Sequence, residues 1–216
     1  MKNIVKPLFP VPTLEAIVDN YEELNQRLLV EINDIFDSKE NRRLLSHKWN
    51  QYEFSNKREE VGYSNFDPLV DNGLVDNPKF NFFFEELAPT INGFFSELNY
   101  YGMWQYLNAW AAVYPKGAWV PEHDHRPLHW SAAYYVKTQQ EGGEIIFTDP
   151  KEYALSNEPE NTIWRGNNRS ATKPTDGMLL VFPSYLKHQT TPNLSDDERI
   201  IISFNILTAG KPSRAP

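Results

Sequence analysis

Along the first hundred residues the apolar positions recur in helical steps. From residue 19 to about 36, Tyr21, Leu24, Leu28, Ile32 and Ile35 fall three and four apart, which predicts one amphipathic helix. Asn77-Pro78, a capping residue followed by proline at the first helical position, predicts the start of a second. Its stripe is Phe80, Phe84, Leu87, Ile91, Phe94 and Leu98. Both stripes read as packing faces against a sheet. Between the helices, residues 48–77 are polar and irregular and suit either a loop over a site or a connector.

Beyond Tyr101 the period changes to two. Residues 103–114 alternate, which predicts a strand with Trp104, Tyr106, Asn108, Trp110, Ala112 and Tyr114 on one face. Residues 130–136, 143–148, 177–182 and 199–207 predict four more strands, separated by turn signals such as Pro115-Lys116-Gly117, Glu141-Gly142-Gly143 and Pro192-Asn193. No helical pattern lies between them. That disfavours a parallel βαβ sheet and predicts a mainly β, antiparallel sandwich or barrel with the N-terminal helices packed on one side. The expected layout is one domain over 1–216: a mainly helical part over 1–100, a β core over 101–208 and a loose tail over 209–216.

Composition narrows the function. Lys and Arg number 21 against 29 Asp and Glu, a net charge of −8. This disfavours nucleic acid and anionic membrane surfaces as partners. Cysteine is absent, which removes disulfides, zinc fingers, iron–sulfur clusters and thiol nucleophiles together. No apolar run is long enough for a membrane-spanning helix, and the N-terminal residues lack the apolar stretch of a secretory signal, so a cytoplasmic protein is expected. A homo-oligomer is compatible with the composition.

Five histidines remain as candidate chemistry, three of them in the segment PEHDHRPLH. His123 and His125 stand two apart, so in extended chain both point to one face. With His188, which follows the strand over 177–182, they form a plausible shell for a divalent first-row metal; the plain alternative is a pair of surface or hydrogen-bonded histidines. Arg199 opens the apolar run RIIISFNIL and shares a strand face with Ile201 and Ser203. A buried guanidinium there needs a partner. That partner is either the carboxylate of a ligand or one of Asp196, Asp197 and Glu198 just before it. His47 reads as a surface or packing residue, and His129 as structural or as an outer-shell neighbour. The tryptophans Trp104, Trp110, Trp119 and Trp130 read mostly as sheet packing, with a substrate wall as the other option.

These pieces, in this order, resemble a known family. HDHRP, SAAYY, FPSYLKH and RIIISFN, with VYPKG before them and Gly142-Gly143 between, are similar to segments of the iron(II)- and 2-oxoglutarate-dependent oxygenases. The nearest likeness is to a prolyl-4-hydroxylase-like branch found in marine bacteria and phages. The resemblance covers roughly residues 104–207, and more loosely LFPVP and the helical part. It implies a double-stranded β-helix, or jelly-roll, of two antiparallel sheets. It also implies Fe(II) as metal, with 2-oxoglutarate and O2 as cosubstrates. The activity implied is hydroxylation of an unidentified small molecule or protein side chain as 2-oxoglutarate is split to succinate and CO2. By resemblance His123, His125 and His188 are the metal ligands, and His125 stands where most of the superfamily has Asp. Arg199 and Ser203 match the clamp for the far carboxylate of 2-oxoglutarate. Tyr135 matches a tyrosine assisting it, and Tyr114 one lining the pocket. The His in place of Asp leaves two alternatives open: Asp124 as the carboxylate ligand, or a cupin-like three-His centre, thiol-dioxygenase-like or purely binding, that does not use 2-oxoglutarate. A structural jelly-roll without chemistry is the third reading.

Overall fold

A computed structural model describes residues 10–38, 41–44, 62–66, 72–151 and 168–209. Strand β1 (Leu14–Ile17) precedes helix α1 (Tyr21–Asp37), and strands β2 (Arg43–Leu44) and β3 (Tyr63–Ser64) precede helix α2 (Asn81–Glu97). Then come β4 (Met103–Tyr114), β5 (Trp130–Lys137), β6 (Ile145–Thr148), β7 (Arg169–Thr172), β8 (Met178–Pro183), β9 (His188–Thr190) and β10 (Arg199–Ala209). They form a seven-stranded sheet, ordered β1-β8-β5-β10-β4-β3-β2, and a three-stranded sheet, β7-β6-β9. Every pairing between these strands is antiparallel. The expected sandwich with helices on one side is the observed architecture.

The helices form where their stripes predict, with small shifts. In α1, Glu22 and Glu23 in the first turn suit the positive end of the helix dipole. Leu24, Leu28 and Ile32 are buried, but the last turn is anchored by Phe36, while Ile35 only packs against the core's edge. Before α2, Asn77 accepts the Lys79 N–H at 3.1 Å and caps a 3-10 turn (Pro78–Phe80); the α-helix proper begins at Asn81. Phe83 and Phe95 join the predicted stripe in the core.

The large sheet separates two apolar clusters. On its helix side, Ile200, Ile202, Phe204 and Ile206 of β10 pack with Leu28, Ile32, Phe83, Leu87 and Ile91. On its other side, Ile201 packs with Tyr114, Tyr135, Leu180 and Phe182 and faces the small sheet through Ile145 and Phe147. Strand β10 thus alternates as predicted. Strand β4 does not keep one face. A register shift leaves Leu107 unpaired between Asn108↔Asn205 and Tyr106↔Ile206. An extra residue reverses the parity of everything before it. Trp104 and Tyr106 therefore pack with the helix-side core, against Phe95 and Phe84, while Trp110, Ala112 and Tyr114 join the other side.

Of the segment over 48–77, residues 48–61 and 67–71 lie outside the described residues, as do His47 and the tail from 210. Its described part is neither bare loop nor bare connector: β3 extends the large sheet at β4, and Phe66 packs on Trp110 at 4.7 Å between ring centres.

Candidate metal centre

His123 and His188 meet through a two-way backbone bridge, each N–H donating to the other's carbonyl at 3.0 and 2.9 Å. His188 opens β9, which the small sheet sets against Phe147 of β6. The His125 N–H donates to the Ser184 carbonyl at 2.8 Å, just past β8. Strand pairing therefore gathers three rings from distant sequence. Their centres stand 4.3 to 5.2 Å apart, and one ligand nitrogen from each lies within 4.8 Å of the others.

Each ring is oriented through Nδ1. That of His123 donates to the Pro121 carbonyl, that of His188 to the Leu186 carbonyl, and that of His125 to Asn205 Oδ1, each at 2.9 Å. An acceptor at Nδ1 fixes the proton there and puts the lone pair on Nε2. Burial lowers the pKa of all three rings, that of His188 to about 3, helped by its neighbour His123. Neutral, oriented imidazoles are what a divalent first-row ion requires, so the donor set fits such an ion. Asp124 is not in the cluster. Its carboxylate is bound to Arg126 at 2.7 Å, and that contact holds its pKa below the usual carboxylate range.

The cluster opens into a cavity of about 490 Å³, lined among others by Tyr114, Tyr135, Thr190, Ser203 and Asn205. Behind two of these lining residues, Thr190 and Tyr114, Arg199 is 1% exposed. Its Nη1 donates to the Gly142 carbonyl at 2.6 Å, its Nη2 to Thr190 Oγ1 at 3.3 Å, and its guanidinium lies 4.5 Å from the Tyr114 ring centre. The local acids do not neutralise it: Asp196 pairs with Lys116 and Asp197 with Lys137. Among the described residues no carboxylate lies within ion-pair distance of Arg199. Burial lowers its pKa, and the Tyr114 and Tyr135 hydroxyls oppose that. A buried cation with no carboxylate partner among the described residues, beside a cavity that holds a histidine cluster, is suited to an anion.

Residues 108–205, which contain this whole arrangement, match the family model described as "Putative 2OG-Fe(II) oxygenase". Over this segment the chain is similar to the 2OG-Fe(II) oxygenases. Solved structures agree in fold. A Pseudomonas putida prolyl-4-hydroxylase is 14% identical and superposes with a TM-score of 0.57 over 93% of this chain and 94% of its own. The carbocyclase SnoK of nogalamycin biosynthesis is 14% identical, with a TM-score of 0.63 over 94% and 83%. HygX of Streptomyces hygroscopicus, solved with nickel, 2-oxoglutarate and hygromycin B, is 13% identical, with a TM-score of 0.59 over 91% and 82%. No curated protein matches the chain.

Within the matched segment the structure brings together His123, His125, His188, Tyr114, Tyr135, Ser203 and Arg199. It separates the other candidates. His129 accepts the Thr208 N–H at 3.0 Å, away from the cluster. Trp104 and Trp130 pack under α2, whereas Trp110 and Trp119 line the cavity. Asn205, Thr190, Asn108 and Phe66 are cavity residues that the sequence reading missed. Asn205 was accessible to it, having the same strand parity as Arg199. Thr190 and Phe66 carry no local signal.

Proposed function

We propose that the protein is an Fe(II)- and 2-oxoglutarate-dependent oxygenase acting as a hydroxylase. The observation that supports this best is the buried Arg199, without a carboxylate partner among the described residues, packed on Thr190 and Tyr114 of the cavity into which three Nε2-directed histidines open. His123, His125 and His188 would hold the iron, and Arg199 the far carboxylate of 2-oxoglutarate, with Ser203, Thr190 and Tyr135 beside it. Bound iron supplies the centre at which O2 is used as 2-oxoglutarate is decarboxylated to succinate and the substrate is oxidised. The chain's own part is to bind and align. Tyr114 and Tyr135 keep their phenols protonated, since burial raises both pKa values, and so can donate to an anion. Tyr114 and Phe182 line the cavity, and Phe147 and Phe182 cover the His188 ring, which would help keep water from the site. The substrate, a small molecule or a protein side chain, would enter past Trp110, Trp119 and Phe66. Hydroxylation is the proposed outcome among several the fold supports, since similar structures include a carbocyclase and an epimerase.

One observation favours a second reading. Among the described residues no carboxylate joins the cluster, as in a three-His centre that does not use 2-oxoglutarate. Titration of 2-oxoglutarate into the iron-loaded protein without oxygen separates the two. The proposal expects saturable binding, weakened on the order of 100-fold in Arg199→Ala because a charge-assisted bidentate contact is lost. Iron affinity should stay unchanged. Arg199→Lys should recover part of the loss, lacking the planar fork. No binding to the unmutated protein, or equal affinity in Arg199→Ala, would leave the second reading standing.

A further inference from the structure

Two of the three histidine rings are oriented by the chain's own backbone, two residues upstream in each case: His123 by Pro121 and His188 by Leu186. The third is oriented by a side chain. Asn205 is 2% exposed and lies on the cavity side of β10. Its Oδ1 accepts from His125 Nδ1 at 2.9 Å and from Ser131 Oγ at 2.8 Å, while its Nδ2 donates to Asn108 Oδ1 at 2.8 Å. Ser131 Oγ also lies 2.8 Å from Ser184 Oγ, and the Ser184 carbonyl holds the His125 N–H. Three of these lie in a row across the sheet, Asn108 and Ser131 being the register partners of Asn205 on β4 and β5, and Ser184 reaches Ser131 from just past the end of β8.

We infer that Asn205 is the positioning residue for the third metal ligand: it holds His125 in the tautomer protonated at Nδ1 and so directs Nε2 to the metal. The inference rests on the metal-centre reading above. An amide oxygen has no proton to give, so the nitrogen facing it must carry one. The amide cannot turn over cheaply. Reversed, it would aim N–H groups at both His125 and Ser131 and set its oxygen against that of Asn108. Asn108 and Ser131 therefore fix Asn205, and Asn205 fixes the ring. A partner of this kind keeps the ligand oriented without adding charge, whereas a carboxylate there would return a negative charge beside the metal.

Co(II) binding followed by visible absorption, together with 15N spectra of histidine-labelled, metal-free protein, tests this. In the unmutated protein the His125 signals should show the Nδ1–H tautomer. Asn205→Ala should lose that preference and weaken Co(II) binding about 10- to 100-fold, the usual cost of removing an outer-shell partner. Asn205→Asp keeps size, and the Asn108 amide must turn over to donate to its second oxygen. It should retain the tautomer, bind Co(II) at least as tightly as the unmutated protein, and shift the Co(II) band through a stronger imidazole donor. An Asn205→Ala variant that is merely less stable, with tautomer and Co(II) affinity unchanged, overturns the inference. If that variant does not fold, an Asn205→Asp variant with unaltered spectrum and affinity overturns it as well. Absence of Co(II) binding to the unmutated protein rejects the metal-centre reading itself, and the inference with it.

Discussion

At the scale of single residues the cavity is built around groups whose charge state burial decides. His188 is the sharpest case, because its pKa of about 3 lies far below the ordinary 6.5 of a histidine. Between those values the unfolded chain binds a proton that the folded, metal-free protein refuses. Stability therefore rises with pH across the window and falls as pH drops from 6.5 towards 3. His123 and His125, lowered in the same direction by burial, add to that slope. We expect the metal-free protein to lose on the order of a few kcal/mol over this range, since each tenfold loss of proton affinity on folding is worth about 1.4 kcal/mol. Replacing His188 with Gln should flatten the profile between pH 4 and 6. Denaturant midpoints measured at several pH values check it, and an equally steep profile in His188→Gln would contradict the assignment. The same burial favours metal binding in mild acid, because the rings need not shed a proton first.

At the scale of elements, what the sequence revealed depended on how local its cause was. The stripes of α1 and α2 and the alternation of β10 follow from neighbours in the chain, so they were legible. The bulge at Leu107 was not: it exists only because β4 must match β10, and it sent Trp104 and Tyr106 to the helix side. Strands β1, β7 and β9, of 4, 4 and 3 residues, are too short to show a period and are defined by their partners. His123, His125 and His188 could be named from spacing and resemblance, but the orienting of His125 by Asn205 required the sheet register. One turn ties element to site. Gly143, with φ of +88°, enters β6, and a Cβ there would lie 2.5 Å from the Thr191 carbonyl oxygen and 2.8 Å from Arg199 Nη1. Gly117, with φ of +85°, has open space around it. Gly117→Ala should therefore cost only the backbone penalty, about 1–2 kcal/mol. Gly143→Ala should cost more and also weaken 2-oxoglutarate binding by displacing the guanidinium, with metal affinity intact. Thermal melts and ligand titrations of the two variants, compared side by side, check this; identical behaviour would show that the turn does not shape the anion pocket.

At the scale of the whole molecule the large sheet is a partition. Its helix side is dense in rings: Phe83 is fully buried and lies 5.1 Å from Phe84, 5.2 Å from Tyr134 and 6.1 Å from Phe204. Its other side carries the polar groups His188 and Arg199 and the cavity. Stability and chemistry are thus assigned to opposite faces of the same strands, with β10 supplying both by alternation. This division predicts independent energetics. Phe83→Ala should lower stability by about 3–5 kcal/mol, the usual cost of a buried phenylalanine. Metal bound only by the folded protein should raise stability by about 2.7 kcal/mol at a hundredfold excess over its dissociation constant. Among the described residues Phe83 and His188 share no ring partner: Phe83 packs with Phe84, Tyr134 and Phe204, and His188 with Phe147 and Phe182. Energies at separate sites add to within about 0.5 kcal/mol, so Phe83→Ala should keep the full metal-dependent increment. His188→Ala should lose the increment while keeping the helix-side core. Denaturant unfolding of both variants with and without Co(II) measures this directly. If the increment shrinks in Phe83→Ala, the helix side helps to shape the metal centre, and the sheet is a coupler between the two faces rather than a partition.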